Sequence, residues 1–371
     1  MTMKRLLKIL AALVAVAAVA LAILMSHDSA CPTGPAPALA PGVTPMKAAV
    51  YRCYGPPEVV KVEDVAKPTP ADDEVLVKVH AASVNPLDWH TMRGQPYLMR
   101  LGSGFGRPKE TRLGVDFAGA VEAVGKDVTR FKPGDPVFGA RNGALAEYLV
   151  VKAARNVLPK PDRLTFEQAG SVGVAAVTAL QALRDHGKVK PGQRVLVNGA
   201  SGGVGTFAVQ IAKALGAEVT GVCSTRNVEM VKSIGADHVI DYKQQDFIEG
   251  SDRYDVVIDA VGNHSFRQVA RVLEPDGHYV VVGAVSDNRW LGGLIQPLVA
   301  MLQSPFVKPK FAFFIAEMKP EDLAYLAGLL ESGRITPVID RTYPLAEAAD
   351  AIAYVEEGHA RGKVVVTVRG E

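Results

Sequence analysis

Residues 198–205 of the chain read NGASGGVG, between a predicted buried strand (194–197) and a predicted helix (203–215). A glycine-rich turn in that context is typical of dinucleotide binding, whereas the same glycines elsewhere would be a plain turn. Gly202 and Gly203 let the backbone approach a pyrophosphate, and the helix beginning there offers free N–H groups to that anion. Gly205 permits close packing of helix on strand, although Ala200 replaces the first glycine of the usual GxGxxG.

The residues that follow this turn alternate between strand-like and helix-like patterns. Predicted strands cover 218–223, 238–240, 255–259 and 279–282, and a predicted helix covers 227–234. Such alternation predicts an α/β domain with a doubly wound parallel sheet, whose ligand lies at the carboxyl ends of the strands.

The end of the second strand indicates the form of the cofactor. NAD enzymes usually carry an acid there for the ribose 2′-OH, but this strand runs into Ser224, Arg226 and Asn227. A hydroxyl and a guanidinium suit a 2′-phosphate, so NADPH is predicted, unless Arg226 is only a solvated residue at a helix start.

The part before this domain is rich in strands. Short β-like runs with Gly and Pro turns between residues 46 and 165 predict a compact, barrel-like β domain. Thr165, with Glu167 and Gln168 behind it, is predicted to cap a helix. The domain with the glycine-rich turn then covers 166–310, and 311–371 includes an Ala-rich helix (345–357) and a last strand (363–368).

The N-terminus has a different character. Lys4, Arg5 and Lys8 precede or enter an apolar run, 6–25, which is long enough for a spanning helix. Residues 1–28 are therefore predicted to be a signal anchor or a signal peptide, and 29–45, rich in proline, an extended linker. Residues 28–31 also resemble a lipoprotein cleavage site, although an aspartate stands where a large apolar residue is expected.

Composition limits the classes of function. The 371 residues carry a net charge of +2 and are 48% apolar, which suits a two-domain globular protein and gives no reason to expect nucleic acid as a partner. The three cysteines, Cys31, Cys53 and Cys223, have neither metal-ligand spacing nor an even count, so neither a disulfide framework nor a structural zinc lobe is expected.

Five motifs in order carry a family resemblance over residues 46–371. They are MKAAV at 46–50, SVNPLDW at 83–89, GVDFAG at 114–119, ASGGVG at 200–205 and GADHVIDY at 235–242. The sequence resembles the medium-chain dehydrogenase/reductase superfamily, and within it the zinc-independent quinone oxidoreductase and enone reductase branch. The resemblance implies a GroES-like β domain, a Rossmann domain, a return of the chain to the first domain, and a homodimer.

The resemblance also implies site residues. Asn85 is expected near the nicotinamide or the substrate carbonyl, and Tyr97 is a candidate proton donor because a phenol suits general-acid work. The alternative for Asn85 is a turn residue before Pro86, and the alternative for Tyr97 is surface packing. The expected cofactor contacts are Thr178, Ser201, Gly202, Gly203, Val204, Ser224, Arg226, Asn227, Tyr242, Val261, Gly283 and Lys363.

The metal ligands of the zinc alcohol dehydrogenases are replaced. Those enzymes have a cysteine where Asn85 stands and a His-Glu pair where Val115-Asp116 stands. Valine cannot bind a metal, and an amide is a poor zinc ligand. No metal site is therefore predicted.

The remaining chemistry is hydride transfer from NADPH to a quinone or an α,β-unsaturated carbonyl. Two alternatives stay open, a nucleotide-binding membrane-associated protein with little turnover and, less well supported, an NADP-dependent alcohol dehydrogenase. The apolar segment 290–314 is expected to be a substrate entrance, a dimer surface or a core helix.

The N-terminal segment raises a question of topology. Its basic residues favour a cytoplasmic N-terminus, which puts the catalytic body outside, where NADPH is scarce. The alternatives are insertion in the opposite sense, another reductant or no turnover, or a start at Met46 that gives a cytoplasmic enzyme.

Overall fold

The structure is a computed structural model that describes residues 2–34, 36–284 and 288–368. It begins with one long helix, α1 (Met3–Ser26), which is long and apolar enough to cross a membrane and leaves most of its surface exposed. Of the expected N-terminal and C-terminal segments, Met1, Pro35 and residues 369–371 lie outside the described residues.

The first domain is built mainly of antiparallel strands, as the short runs between turns predict. Its elements are β1 (Pro45–Val50), β2 (Lys61–Ala66), β3 (Glu74–Val84), α2 (Pro86–Arg93), α3 (Arg100–Ser103), β4 (Asp116–Val124), β5 (Pro136–Ala140), β6 (Tyr148–Lys152), β7 (Val157–Pro159) and α4 (Phe166–Ala169). Thr165 caps α4 as predicted: its hydroxyl accepts from Gln168 N, and the Gln168 side chain accepts from Thr165 N.

The second domain alternates helices and parallel strands. It contains α5 (Gly173–Gln181), β8 (Arg194–Asn198), α6 (Gly203–Ala214), β9 (Glu218–Cys223), α7 (Val228–Ser233), β10 (His238–Asp241), β11 (Tyr254–Asp259), α8 (Phe266–Val269), β12 (Leu273–Val281), α9 (Ile295–Gln303), β13 (Lys310–Phe313) and α10 (Pro320–Glu331). The strands follow the order β10-β9-β8-β11-β12-β13, all parallel. The predicted α/β class with a doubly wound sheet is confirmed.

The interior of this parallel sheet is apolar on both faces. Val195, Leu196 and Val197 of β8 are completely buried, because helices cover both sides of the sheet. The order reverses at β8, with β9 on one side and β11 on the other, so a crevice opens at the carboxyl ends of these strands.

The chain then rejoins the first domain through β14 (Ile339–Pro344), α11 (Ala348–Glu356) and β15 (Lys363–Thr367). The sheet there runs β14-β15-β3-β4-β5-β7, with β6 also paired to β3. β15 lies antiparallel to β3, with Val364 opposite Val84. This pairing brings Lys363, at the start of β15, beside Asn85, which follows β3.

One expectation from the sequence is wrong, and one of three alternatives for another segment is excluded. Cys31 and Cys53 form a disulfide, which an odd cysteine count did not predict, and the segment after α1 is therefore attached to the β domain. The free Cys223 is buried, which accounts for the odd count. Of the three alternatives for the segment 290–314, the core helix is excluded, because in α9 only Pro297 and Ala300 are buried and Leu302 is 76% exposed.

Candidate active site and cofactor cleft

A cluster of four buried polar side chains lies where β3, β4 and β15 meet. The Lys363 ammonium donates to Asn85 Oδ1 at 2.6 Å and lies 3.4 Å from Asp116 Oδ2. That carboxylate oxygen also accepts from Asn85 Nδ2 at 3.0 Å and from Ser83 Oγ at 2.8 Å. All four residues are at most 3% exposed, so the ammonium and the carboxylate pair with each other in a buried site of low dielectric constant.

Asp116 also connects this cluster to the second domain. Its Oδ1 accepts from Val174 N at 2.7 Å, in the first turn of α5, where a carboxylate is favoured by the helix dipole. A Cβ on Gly173 would come 2.4 Å from the same oxygen, so this contact needs a glycine. Thr178, one turn further along α5, donates its hydroxyl to Val174 O and is 9% exposed.

The glycine-rich turn adopts the predicted strand–turn–helix geometry. Gly199 has φ +84°, and a Cβ on Gly205 would come 2.0 Å from Gly199 O, so α6 packs against the turn only without a side chain there. Gly202 is the N-cap of α6, whose first N–H groups have no partners within the helix. A Cβ on Gly203 would lie 3.3 Å from Lys363 Cδ, which places the buried cluster next to this turn.

The residues after β9 lie beside the same turn. Asn227 donates through Nδ2 to Ser201 Oγ at 2.9 Å and to Ser224 Oγ at 3.2 Å, while its Oδ1 is buried without a hydrogen-bond partner among the described residues. Arg226 is exposed and donates to His359 O at 3.0 Å, and Tyr242 is 53% exposed. The nearby carboxylate of Asp241 accepts from Thr225 Oγ1 at 2.7 Å.

Sequence reasoning missed a second buried acid, Asp259, at the carboxyl end of β11. Its Oδ1 accepts from Asn198 Nδ2, Val261 N and Gly262 N at 2.8–2.9 Å, and its Oδ2 accepts from the Tyr279 hydroxyl at 2.7 Å. Burial, with the adjacent carboxylate, raises the pKa of Tyr279 far above its usual range. The signal in the sequence was a lone acid closing an apolar strand.

Asp259 contacts both loops that carry predicted cofactor contacts, the one after β11 and the one after β12. Val261 N donates to the Asp259 carboxylate at 2.9 Å, whereas Gly283 N lies 3.4 Å from the backbone oxygen Asp259 O. A Cβ on Gly199 would come 2.9 Å from Val261 Cγ2, so this loop lies against the glycine-rich turn. The buried carboxylate therefore holds the loop at Val261, and the backbone of Asp259 contacts Gly283.

Asp88 supports Asn85 from the other side. Its carboxylate accepts from Asn85 N and Gly114 N, each at 2.7 Å, so it caps the start of α2. Because the carboxyl is fully buried, its pKa rises to about 6 in spite of those two hydrogen bonds.

Tyr97 is placed away from the cluster around Lys363. Its ring lies 4.7 Å from the Arg100 guanidinium and 5.1 Å, edge-on, from the Trp290 ring. None of its hydrogen bonds or ring contacts among the described residues reaches Asn85, Asp116 or Lys363. Of the two predicted catalytic residues, only Asn85 is therefore in this cluster.

The buried cluster does not fit a zinc ion. Over the described residues there is no group of three His, Cys, Asp or Glu side chains that could hold a metal. The cluster supplies one amide (Asn85), one carboxylate (Asp116) and one lysine (Lys363). The Lys363 ammonium lies 2.6 Å from Asn85 Oδ1, and its positive charge would repel a zinc ion at this place.

Comparison with known proteins agrees with this architecture. Residues 71–162 match the alcohol dehydrogenase GroES-like domain family, and residues 234–366 match a family described as zinc-binding dehydrogenase. The chain is 35% identical over 364 residues to the mitochondrial NAD(P)H oxidoreductase RTN4IP1 of Bos taurus, covering 88% of this chain and 90% of that one.

Two further relatives carry names that describe reactions. The chain is 35% identical over 338 residues to 2-methylene-furan-3-one reductase of Solanum lycopersicum, covering 86% of this chain and 79% of that protein. The structure of the quinone oxidoreductase from Coxiella burnetii superposes with a TM-score of 0.74 at 32% identity, over 88% of this chain and all of the other. With the GroES-like sheet, the parallel sheet and the buried cluster between them, these similarities show that the chain belongs to the medium-chain dehydrogenase/reductase superfamily.

Proposed function

We propose that this protein is a zinc-independent, NADPH-dependent reductase of quinones or α,β-unsaturated carbonyls. The observation that carries the proposal is the buried cluster of Lys363, Asn85 and Asp116 directly beside Gly203. It combines a dinucleotide turn with a cationic, hydrogen-bonding site and no metal ligand set. The relatives named as a quinone oxidoreductase and as a furanone reductase support the same substrate class.

The residues around the glycine-rich turn suit a nicotinamide dinucleotide, which supplies a hydride when bound. Ser201, Gly202, Gly203 and Val204 would hold the pyrophosphate through backbone N–H groups. The buried, unpartnered Oδ1 of Asn227 is an acceptor for a cofactor hydroxyl or amine. Ser224 and Arg226 would bind the 2′-phosphate, and Tyr242 would lie near the adenosine. Thr178, Val261 and Gly283 would contact the nicotinamide half.

Lys363 and Asn85 are the proposed catalytic residues. Addition of a hydride to the β-carbon of an enone, or to a quinone, leaves negative charge on the acceptor oxygen. The Lys363 ammonium and the Asn85 amide N–H are donors that stabilise such charge in a buried site. Because the fold already holds these donors in position, they need no reorientation during the reaction, whereas water molecules would. A proton from Lys363 or from solvent then completes the reduction.

We further propose that α1 anchors the protein in a membrane. The disulfide between Cys31 and Cys53 needs an oxidising compartment, and the basic N-terminus favours the cytoplasm, so both observations favour a catalytic body on the exported side. We also propose a homodimer that uses the edge strand β13 and the exposed face of α9. The activity test uses the purified chain, so its result does not depend on the compartment.

The test follows NADPH absorbance with the full chain in detergent and a panel of quinones, enones, aldehydes and alcohols. We expect oxidation of NADPH with a quinone or an enone, unchanged by a chelator, and a higher kcat/KM with NADPH than with NADH. Cofactor binding without turnover would instead favour a nucleotide-binding protein, and chelator-sensitive alcohol oxidation would contradict the zinc-independent assignment.

The Arg226→Ala variant tests the cofactor preference. It removes one charge-assisted contact to a 2′-phosphate, so KM for NADPH should rise about tenfold while KM for NADH stays unchanged. Arg253→Ala, an equally exposed arginine on the same domain, is the matched control and should change neither.

A further inference from the structure

The end of α1 is held by residues 93–109, which we call the collar. Arg100 lies at its centre and is completely buried. Its guanidinium donates to Gly94 O at 2.8 Å, to Met25 O at 2.9 Å and to His27 O at 3.1 Å, and it forms an ion pair with Asp28 at 2.7 Å. The last turn of α1 is therefore attached to the body by a buried cation.

The residues after α1 are fixed to the same place. Ser29 N donates to Gly106 O at 3.0 Å, and Cys31 is bonded to Cys53. Next to that cysteine, Tyr54 lies over the Arg100 guanidinium at 4.3 Å and donates to Gly104 O. The end of α1 and residues 29–31, where an extended linker was expected to begin, are thus attached to the body.

The rest of α1 projects from the body. Leu10, Leu13, Val16 and Val19 are 57–67% exposed, whereas Met25 is 6% exposed. Twenty-four residues give a helix about 36 Å long, and an apolar helix of that length is stable in a bilayer rather than in water. Because α1 leaves the body at Met25, the bilayer surface must lie next to the collar.

The collar presents a suitable surface to lipid. Leu98, Leu101 and Phe105 are exposed by 38%, 53% and 42%. Residues 98–109 contain the exposed Arg107 and Lys109 and no acid; the acids beside them are Glu110, which is exposed, and Asp28, which is paired with Arg100. Apolar side chains flanked by basic ones are typical of surfaces that enter the interface of anionic membranes.

The collar also borders the cleft between the two domains. α2 begins directly after Asn85 and ends at Arg93, and the carbonyl of its C-cap, Gly94, accepts from Arg100. Eight residues, about 12 Å of helix, therefore separate the catalytic cluster from the collar. On the other domain, Trp290 O accepts from Leu98 N, and a Cβ on Gly292 would lie 3.1 Å from Pro96 Cγ.

We propose that the collar docks the catalytic body on an anionic bilayer with the cleft opening toward the lipid, so that the acceptor is a quinone dissolved in the membrane. The docking rests on the collar and α1, and only the identity of the acceptor rests on the proposed function.

The first experiment measures docking without turnover. Trp89 and Trp290 are the two tryptophans of the chain, so Trp89→Phe leaves Trp290, 41% exposed beside the collar, as the single reporter. The full chain is reconstituted in phosphatidylglycerol and phosphatidylcholine vesicles with brominated acyl chains, and intact mass confirms that α1 is retained. We expect stronger quenching by bromines near the headgroups than at the chain ends. Equal emission in brominated and unbrominated vesicles, or loss of α1 from the mature chain, overturns the proposal.

The second experiment compares acceptors in the same vesicles. The double substitution Leu101→Ser and Phe105→Ser should lower kcat/KM for a long-tailed isoprenoid quinone about tenfold and leave that for water-soluble benzoquinone unchanged. Ile315→Ser, 84% exposed on the other domain, is the matched control and should change neither. An equal effect on both quinones overturns the membrane route. Failure to reduce either quinone would contradict the proposed function, while the quenching result would still decide the docking.

Discussion

Two buried cations define the two functional regions of this molecule. Lys363 in the cleft is 3% exposed and, within the described chain, has two acceptors in reach, Asn85 Oδ1 and Asp116 Oδ2. An ammonium has three donors, so one stays available for a substrate oxygen. Arg100 in the collar is completely buried, and each of its five N–H groups has an acceptor, the weakest being Arg93 O at 3.5 Å.

Under the proposed function, the difference separates a cation that acts on the substrate from one that only holds the structure together. Both charges are costly to bury and both are paired with a carboxylate. A saturated guanidinium can only hold its neighbours together, whereas a lysine with a free donor beside a cofactor turn can act on a ligand. Substitutions at the two positions should therefore affect different properties.

Lys363→Met should have the largest effect. Loss of the donor should lower kcat for quinone about 100-fold, and the unpaired Asp116 should lower the free energy of unfolding by about 3 kcal/mol. Adding Asp116→Asn removes the unpaired charge, so the double variant should regain stability without regaining activity. Steady-state rates and chemical denaturation measure both. Recovery of kcat in the double variant would contradict a catalytic role for Lys363.

Arg100→Met should show the opposite pattern. It leaves Asp28 and several carbonyls without their donor and should cost about 4 kcal/mol, with faster proteolysis of residues 25–34. The kcat for a water-soluble quinone should stay within about twofold. Asp28→Asn is the control, because that carboxylate is half exposed and its loss should cost less than about 1 kcal/mol. A 100-fold loss of kcat in Arg100→Met would remove the distinction between the two cations.

Cys31→Ser isolates the covalent part of the collar. The disulfide closes a loop of 22 residues, so its removal should lower the free energy of unfolding by about 3 kcal/mol while Arg100 keeps its hydrogen bonds. Thermal unfolding with and without a reductant checks this: reductant should destabilise the natural chain and leave the variant unchanged. Equal sensitivity of both to reductant would mean that the disulfide does not contribute.

Asp88, beside the catalytic cluster, should make the stability of the protein depend on pH. Its pKa of about 6 lies above the usual value of an aspartate, so the folded state holds a proton that the unfolded chain releases. The resulting stabilisation is full below pH of about 4 and is lost as pH rises to about 6, about 2–3 kcal/mol in all, and is absent at neutral pH. The unfolding free energy of Asp88→Asn should lack this decline. Parallel pH profiles for the natural and substituted chains would show that Asp88 titrates normally.

Local patterns predicted much of the fold. The strand, glycine turn and helix around residues 194–215 were predicted from sequence, as was the cap at Thr165, because strand periodicity, glycine turns and capping side chains act between near neighbours. The α/β class and the parallel sheet followed from the alternation of such patterns.

The candidate cofactor contacts could be selected from the sequence for the same reason. Ser201, Ser224 and Asn227 were each predicted to contact the cofactor, and the structure shows Asn227 donating to both serine hydroxyls. Tyr97 was selected for its chemistry alone, and the structure shows its ring packed on Arg100. Asp259 and Asp116 were not assigned roles, because a buried acid is recognisable only when its partners from other strands are known.

The sequence by itself determined the superfamily, the glycine-rich turn between a strand and a helix, and a long apolar N-terminal helix. Only the tertiary structure decided that Lys363 meets Asn85 across 278 positions, that Arg100 fastens the end of α1, and that Cys31 pairs with Cys53. The physical reason is the range of the interactions. Periodicity and turn chemistry act over a few residues, whereas a buried charge is satisfied by groups from distant parts of the chain, which only the folded backbone brings together.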